Sequence, residues 1–131
     1  MRSGFFLLTC CLAAFCGACA FDVIHVEQHP VRLESACADA TPFELVADVT
    51  LAIGYGYERT LKAGTKWRCI GRLAQGDVYT SRDQVLTVEA SNIHEAYLVV
   101  DSRNVVGFYL PVEKTFSPLG VRRELPMKAR P

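Results

Sequence analysis

Two groups of side chains in this sequence have the residue types that bind metals or transfer protons. In the first group, His25, Glu27 and His29 alternate along the chain, so a strand would project all three from one face. Imidazole and carboxylate groups gathered in this way are ligands that a metal ion accepts. Pro30 follows directly, and an exposed strand face is where polar residues belong. We therefore expect a polar surface here and no metal site.

The second group consists of Asn92, His94 and Glu95. Histidine titrates near neutral pH and often acts as a general acid or base. No serine or cysteine nucleophile lies in a recognisable setting, and adjacent residues on a strand point to opposite faces. We expect His94 to be a loop histidine that hydrogen-bonds to the backbone. The sequence thus predicts neither an enzyme nor a cofactor.

A glycine and tyrosine turn is the third candidate, because Gly54-Tyr55-Gly56-Tyr57 lies close to Arg59. Exposed aromatic rings beside a cation suit stacking on a sugar or gripping a peptide. The alternative is a tight turn whose tyrosines fold back over the core. If this turn binds a partner, the contact residues are Tyr55, Tyr57 and Arg59.

The elements that position these residues follow from the pattern of apolar side chains. Residues 43–53 alternate, with Phe43, Leu45 and the later odd positions apolar, and a strand with one buried face has this period of two. Glycine and polar turn signals then recur at short intervals between β-prone runs, one of which is Lys66–Leu73. Many short strands with regular turns predict an all-β fold, a small barrel or sandwich of short antiparallel strands.

Three further segments complete the predicted domain. Residues 96–112 have two apolar arms around a polar loop, which predicts a hairpin. Residues 91–95 favour a single helical turn. Residues 119–131 combine cationic residues with proline and show no apolar period, so we predict a disordered basic tail after a β-domain of residues 21–118. The tail's cations and prolines are Arg122, Arg123, Pro126, Lys128, Arg130 and Pro131.

Residues 1–20 have the three-part layout of a secretory signal peptide. Arg2 supplies the positive charge, residues 5–15 form an apolar run too short to span a bilayer, and small residues follow. The layout predicts export from a bacterial cytoplasm to the cell envelope.

Two cleavage sites fit the end of the predicted signal peptide. Gly17-Ala18-Cys19 resembles the lipobox of bacterial lipoproteins, in which the cysteine becomes the lipidated first residue, although Cys16 replaces the usual aliphatic residue. Ala18-Cys19-Ala20 also fits ordinary signal peptidase, which would release a soluble periplasmic chain beginning at Phe21. If Cys19 is lipidated, its acyl chains form a membrane anchor, and Ala20 after it favours the periplasmic side of the outer membrane by resemblance.

Cysteine usage predicts one disulfide in the mature chain. Once residues 1–20 are removed or modified, Cys37 and Cys69 remain. Two thiols in an oxidising compartment favour a structural bond, and neither cysteine has a C-x-x-C partner or a nearby histidine. We expect this bond to contribute about 3 to 4 kcal/mol to stability in the chain-entropy model. Trp67 is expected in the core close to it.

Glycines and aromatic residues follow a definite order in the middle of the chain, from about Leu61 to Pro111. The motifs are Leu61-Lys62-Ala63-Gly64-Thr65-Lys66-Trp67, Ile70-Gly71, Gln75-Gly76-Asp77-Val78-Tyr79 and Val106-Gly107-Phe108-Tyr109. This order resembles a bacterial Src-homology-3-like barrel, and also small lipoproteins of bacterial envelopes. These motifs consist of turn glycines and core aromatic residues, so the resemblance implies a fold more than a function.

Composition narrows the function classes. The 14 basic and 14 acidic residues cancel, which argues against nucleic acid as a partner. The expected function is a lipid-anchored binding or scaffold module of the cell envelope, whose partner is an envelope protein, a peptide or a glycan. The alternative is a soluble periplasmic inhibitor or immunity-type protein, which disulfide-stabilised β-domains of this size can be.

Overall fold

A computed structural model describes residues 25–37, 39–54 and 56–130, and every regular element in them is a β-strand. The predicted all-β class with antiparallel pairing and one disulfide is confirmed. The predictions for residues 1–20, including lipidation of Cys19, lie outside the described residues. The strands are β1 (His29–Pro30), β2 (Phe43–Leu45), β3 (Val49–Gly54), β4 (Tyr57–Leu61), β5 (Lys66–Leu73), β6 (Gly76–Ser81), β7 (Thr87–Glu89), β8 (Ile93–Glu95), β9 (Tyr97–Asp101), β10 (Asn104–Leu110), β11 (Thr115–Glu124) and β12 (Met127–Ala129).

One large sheet and two hairpins make up the fold. The sheet has 8 strands in the order β1-β11-β10-β9-β6-β5-β2-β12, while β3 pairs with β4 and β7 pairs with β8 in separate hairpins. The predicted hairpin over residues 96–112 is confirmed as β9 and β10.

Two short connections require the large sheet to coil. Only residues 125–126 join β11 to β12 and can span about 11 Å, whereas these strands would lie about 29 Å apart in a flat sheet of this order. Similarly, Pro30 pairs with β11, and four residues later Glu34 pairs with Arg72, in the part of β5 that lies beyond its pairing with β2. The sheet therefore curls until strands that are distant in its order come close together.

Each face of the coiled sheet carries its own apolar cluster. Neighbouring residues such as Leu98 and Val99 contribute to different clusters, as the period of two predicts. In the main cluster, the Phe43 ring lies 4.9 Å from the Tyr79 ring and 6.5 Å from the Trp67 ring, measured between centroids. Trp67 is only 2% exposed, so its predicted core position is confirmed. The second cluster is smaller and consists of Leu73, Val78, Val99, Tyr109 and Phe116.

Residues 28–37, here called the strap, cover the second cluster and are held at both ends. At one end, β1 pairs with β11 and the Thr115 hydroxyl donates a hydrogen bond of 2.8 Å to the Gln28 side chain. At the other end, Glu34 and Arg72 exchange backbone hydrogen bonds of 2.9 and 2.8 Å. The disulfide then joins Cys37 to Cys69, with 6.1 Å between their Cα atoms. The predicted disulfide thus fastens the strap to β5.

Gly71 is the point at which the strap lies closest to the sheet. A Cβ atom there would lie 2.6 Å from the Glu34 carbonyl oxygen and 2.7 Å from Leu33 Cδ1. We expect Gly71→Ala to lower the free energy of unfolding by about 1 to 3 kcal/mol, because the strap must move away. Gly120→Ala is the control, since a Cβ there meets nothing within 4 Å. Equal unfolding midpoints in urea for the two variants would show that the strap does not press on β5.

Two local predictions were wrong. Residues 43–53 form β2 and β3 rather than one strand, because the chain bends at residues 46–48 and takes β3 out of the large sheet. Residues 91–95 do not form a helical turn: they lead into β8, which pairs with β7. In that hairpin Val88, opposite His94, is buried against the main cluster, and this tertiary packing decides the conformation of a short segment with no strong preference of its own.

The predicted disordered tail is also corrected, because most of residues 119–131 lie in β11 and β12. Leu125 is fully buried, and its N–H donates a 2.8 Å hydrogen bond to the Arg103 carbonyl oxygen. The N–H of Val46 donates to the Pro126 carbonyl oxygen at 2.8 Å, and β12 then pairs with the edge of β2. The β-domain therefore extends to Ala129, since a few buried apolar residues and backbone pairing outweigh a charged composition.

Candidate functional site

The predicted binding turn lies between β3 and β4. Tyr55 lies outside the described residues. Tyr57, the first residue of β4, has 37% of its surface exposed, and Arg59 lies two residues further along the same strand. Tyr57 is therefore open to a partner, and its predicted contact role stays a prediction.

Arg59 makes its contacts within the protein. Its Nε and Nη2 donate hydrogen bonds of 3.1 and 3.3 Å to the carbonyl and hydroxyl oxygens of Thr87, and Nη2 lies 2.6 Å from Glu89 Oε1. Because Thr87 and Glu89 belong to β7, these bonds join the two hairpins of the fold. With most of its side chain covered, the guanidinium positions β4 against β7 rather than standing free for a ligand.

A cavity of about 530 Å³, here called the apolar cleft, opens beside this turn. Ala52 and Ile53 of β3 form one wall, and Gly120 and Val121 of β11 contribute to the other. Its volume falls within the range of small-ligand and side-chain sites. The full lining is Val26, Glu27, Ala52, Ile53, Glu89, Ser117, Pro118, Gly120 and Val121.

Glu89 connects the apolar cleft to the predicted binding turn. It lines the cleft and also holds Arg59. Because Tyr57 and Arg59 are two residues apart on β4, their side chains project from the same face, which places Tyr57 near Glu89 and the cleft.

The strands on either side of the apolar cleft leave backbone edges available. Within the described ranges, β3 pairs only with β4, so its second edge has no strand hydrogen-bonded to it, while β11 lies close to β3 without forming a ladder with it. On β11 the register with β10 jumps from Gly107↔Pro118 to Val105↔Arg123, which makes the intervening residues bulge away from β10. A free edge is a site where a sheet can accept a further strand, and a bulge leaves the backbone of its extra residues outside the ladder.

The histidine groups do not assemble a metal-binding cluster in the described part of the chain. His29 Nε2 lies 2.9 Å from Glu27 Oε1, and both side chains are more than half exposed. No cluster of three or more His, Cys, Asp or Glu side chains that could hold a metal occurs in residues 25–37, 39–54 and 56–130.

His94 lies on β8 and interacts with a carboxylate rather than with the backbone as predicted. Its Nδ1 is 2.6 Å from Glu113 Oε1, in the turn between β10 and β11. This contact bridges 19 residues of sequence, which is why the local pattern did not indicate it. Asn92 and Glu95 are not part of this pair.

Sequence reasoning missed half of the apolar cleft, because its β11 wall falls partly in the predicted disordered tail. The pattern did contain one signal: Phe116 and Leu119 are apolar and buried, with a polar and a proline residue between them. A spacing of three residues departs from the period of two of a regular strand, and no helical pattern follows it. It marks the beginning of the bulge.

Comparison with known proteins gives no relative for this fold or site. No family model, curated protein or solved structure matches the chain. Among the residues that the structure describes, no helix is long and apolar enough to cross a membrane. The resemblance to a Src-homology-3-like barrel therefore stays a prediction.

Proposed function

We propose that this protein is an exported binding module of the bacterial cell envelope, anchored through a lipid on Cys19, and that it binds an extended peptide segment of an envelope protein in the apolar cleft. The observation that carries the proposal is the cleft itself. It has a volume of about 530 Å³, a mainly apolar lining and the free edge of β3 along one wall.

An extended peptide fits this site because its backbone and its side chains both meet complementary groups there. Its backbone can pair with the free edge of β3, as in recognition by strand addition, and this supplies affinity without regard to sequence. Its alternate side chains can enter the space between Ile53 and Val121. Tyr57 beside the cleft offers an amphipathic ring of the kind enriched at interfaces.

The lining also favours binding over catalysis. Glu27, Glu89 and Ser117 are the residues of the lining with polar side chains, and Glu89 is already paired with Arg59. A catalytic pocket needs several polar groups that converge on one point. A module that recognises a partner needs only a surface of complementary shape, an unpaired strand edge and a stable scaffold.

The proposal predicts that Val121→Asp abolishes partner capture. Val121 is 69% exposed, so the change should leave the fold intact, but a bound peptide would bury the new carboxylate without a counter-charge. We expect at least about a tenfold loss of the envelope protein that is cross-linked in living cells and purified with this chain. The measurement is mass spectrometry of the cross-linked material from the native host.

Val112→Asp is the matched control, because Val112 is 76% exposed but lies in the turn between β10 and β11, outside the lining. It should keep the partner, whereas Tyr57→Ala should reduce capture. Equal capture by the Val121 and Val112 variants would contradict binding in the cleft. Stoichiometric capture of one soluble enzyme by an unlipidated chain would favour the inhibitor alternative.

A further inference from the structure

A second cavity, here called the basic groove, is lined mainly by charged side chains, unlike the apolar cleft. It has a volume of about 450 Å³ and is lined by four cationic side chains, Lys66, Arg68, Arg82 and Arg130. The other lining residues are Pro42, Trp67, Thr80 and Asp83.

The sheet brings these cations together from three parts of the sequence. Lys66 and Arg68 are two residues apart on β5, so their side chains project from the same face. Trp67 pairs with Ser81 at the end of β6, which places the following residue, Arg82, beside Lys66. Arg130 follows β12, and its N–H donates a 2.9 Å hydrogen bond to the Pro42 carbonyl oxygen.

The cations of the basic groove outnumber the acidic side chains around them, of which Glu44 lies opposite Lys66 where β2 pairs with β5. No ion pair involves any of the four cations within the described ranges, and Asp83 is the only acidic residue of the lining. The Asp83 carboxylate accepts a 2.7 Å hydrogen bond at Oδ2 from the Lys66 backbone N–H, and its negative charge offsets one of the four positive charges. In a chain with net charge +0, this excess of positive charge is a local feature with its own field.

An exposed apolar side chain lies close to the same cations along the chain. Val85, three residues after Arg82, is 84% exposed, the largest exposure among the large hydrophobic residues of the described chain. Val85 also lines a small cavity together with Trp67 and Thr80, two residues that border the basic groove. Cations and an exposed apolar residue side by side are the combination that binds the interface of an anionic membrane.

We propose that the basic groove and Val85 form a docking surface for anionic phospholipid headgroups, so that this face of the protein lies against a membrane. Arginine binds phosphate oxygens through two parallel hydrogen bonds, and the groove offers three arginines beside one lysine. Each cation near an anionic surface strengthens binding, and salt screens the attraction. The inference does not use the apolar cleft, and it does not require lipidation of Cys19.

Vesicle binding by the exported Cys19→Ser variant tests the inference. This variant lacks the cysteine that is proposed to be lipidated. We expect the protein to float with vesicles of phosphatidylcholine that contain about 30% phosphatidylglycerol, in about 50 mM salt, and to release in about 500 mM salt. Reversing two charges of the groove, in Arg68→Glu with Arg82→Glu, should lower the bound fraction by about tenfold or more.

The matched control reverses two exposed arginines outside the groove, in Arg32→Glu with Arg123→Glu, and changes the net charge by the same amount. This control variant should bind the vesicles nearly as well as the natural protein does. Arg68→Gln with Arg82→Gln provides a milder change if the reversal disturbs folding, and circular dichroism checks each fold.

Three results would overturn the inference. The first is equal binding to vesicles with and without phosphatidylglycerol, and the second is an equal loss in the groove and control variants. The third is binding of a soluble polyanion such as polyglutamate or inorganic polyphosphate without binding of vesicles, which would assign the groove to an acidic partner. Because no peptide partner is present, each of these results leaves the proposed function of the cleft untouched.

Discussion

Replacing both Cys37 and Cys69 with serine should lower the free energy of unfolding by about 3.5 kcal/mol. The bond joins residues separated by 32 positions, and its loss returns that loop's conformational freedom to the unfolded chain. The strap also loses its covalent attachment to β5. Urea unfolding of the natural and double-serine proteins, monitored by Trp67 fluorescence, measures the difference.

The natural protein in a strong reductant is the control for this prediction, and its stability should fall to that of the double-serine variant. If the two proteins instead differed by less than about 0.5 kcal/mol, the chain-entropy account would be contradicted. The strap would then be held by β1 and by the Glu34–Arg72 hydrogen bonds alone.

Truncating Leu125 should have an effect of similar size, although it lies in the segment predicted to be a disordered tail. Leu125 has no exposed surface and packs in the main cluster, so Leu125→Ala should cost about 2 to 5 kcal/mol through lost burial and a residual cavity. Val121→Ala is the neighbouring control, because that side chain is 69% exposed and should cost less than about 0.5 kcal/mol. Thermal and urea unfolding of both variants measure the contrast.

Equal and small losses in these two variants would show that residues beyond Glu124 do not belong to the core. A large loss of unfolding free energy for Leu125→Ala alone supports the buried position of the short link between β11 and β12, and with it the coiling of the sheet.

The strands that sequence reasoning predicted well are those whose neighbours in the chain are also their neighbours in the sheet. β5 coincides with its predicted range, Lys66–Leu73, and it pairs with β6 across a tight turn. β9 and β10 form the predicted hairpin. In these cases the turn residues and the period of two act on the same short stretch, so one window of sequence contains all the information required.

The features that were missed depend on pairing between distant residues. β12 exists because its backbone reaches the edge of β2, on the far side of the sheet order. β8 exists because β7 packs Val88 into the core. Neither segment has a strong preference of its own, and composition alone made residues 119–131 resemble a solvated tail. Tertiary contacts override weak local preference in short strands.

The candidate site likewise combines features that can be predicted from neighbouring residues with features that depend on distant ones. The turn that carries Tyr57 was identified from its glycines and aromatic residues, but the β7 partners of Arg59 lie 28 and more residues further along the chain. The apolar cleft needs β3, β11 and residues 26–27 together, which no single window contains. The basic groove likewise joins Lys66 to Arg130 through the curled sheet.

The intact mass of the protein, measured in the membrane and soluble fractions of its native host, tests the central claim most directly. An exported, anchored and disulfide-bonded module should appear in the membrane fraction as a chain that begins at a triacylated Cys19 and lacks the two hydrogens of free Cys37 and Cys69. An unmodified chain that begins at Phe21 in the soluble periplasm would remove the anchor and favour the inhibitor alternative. A soluble cytoplasmic chain that retains residues 1–20 and has free thiols at Cys37 and Cys69 would contradict the account.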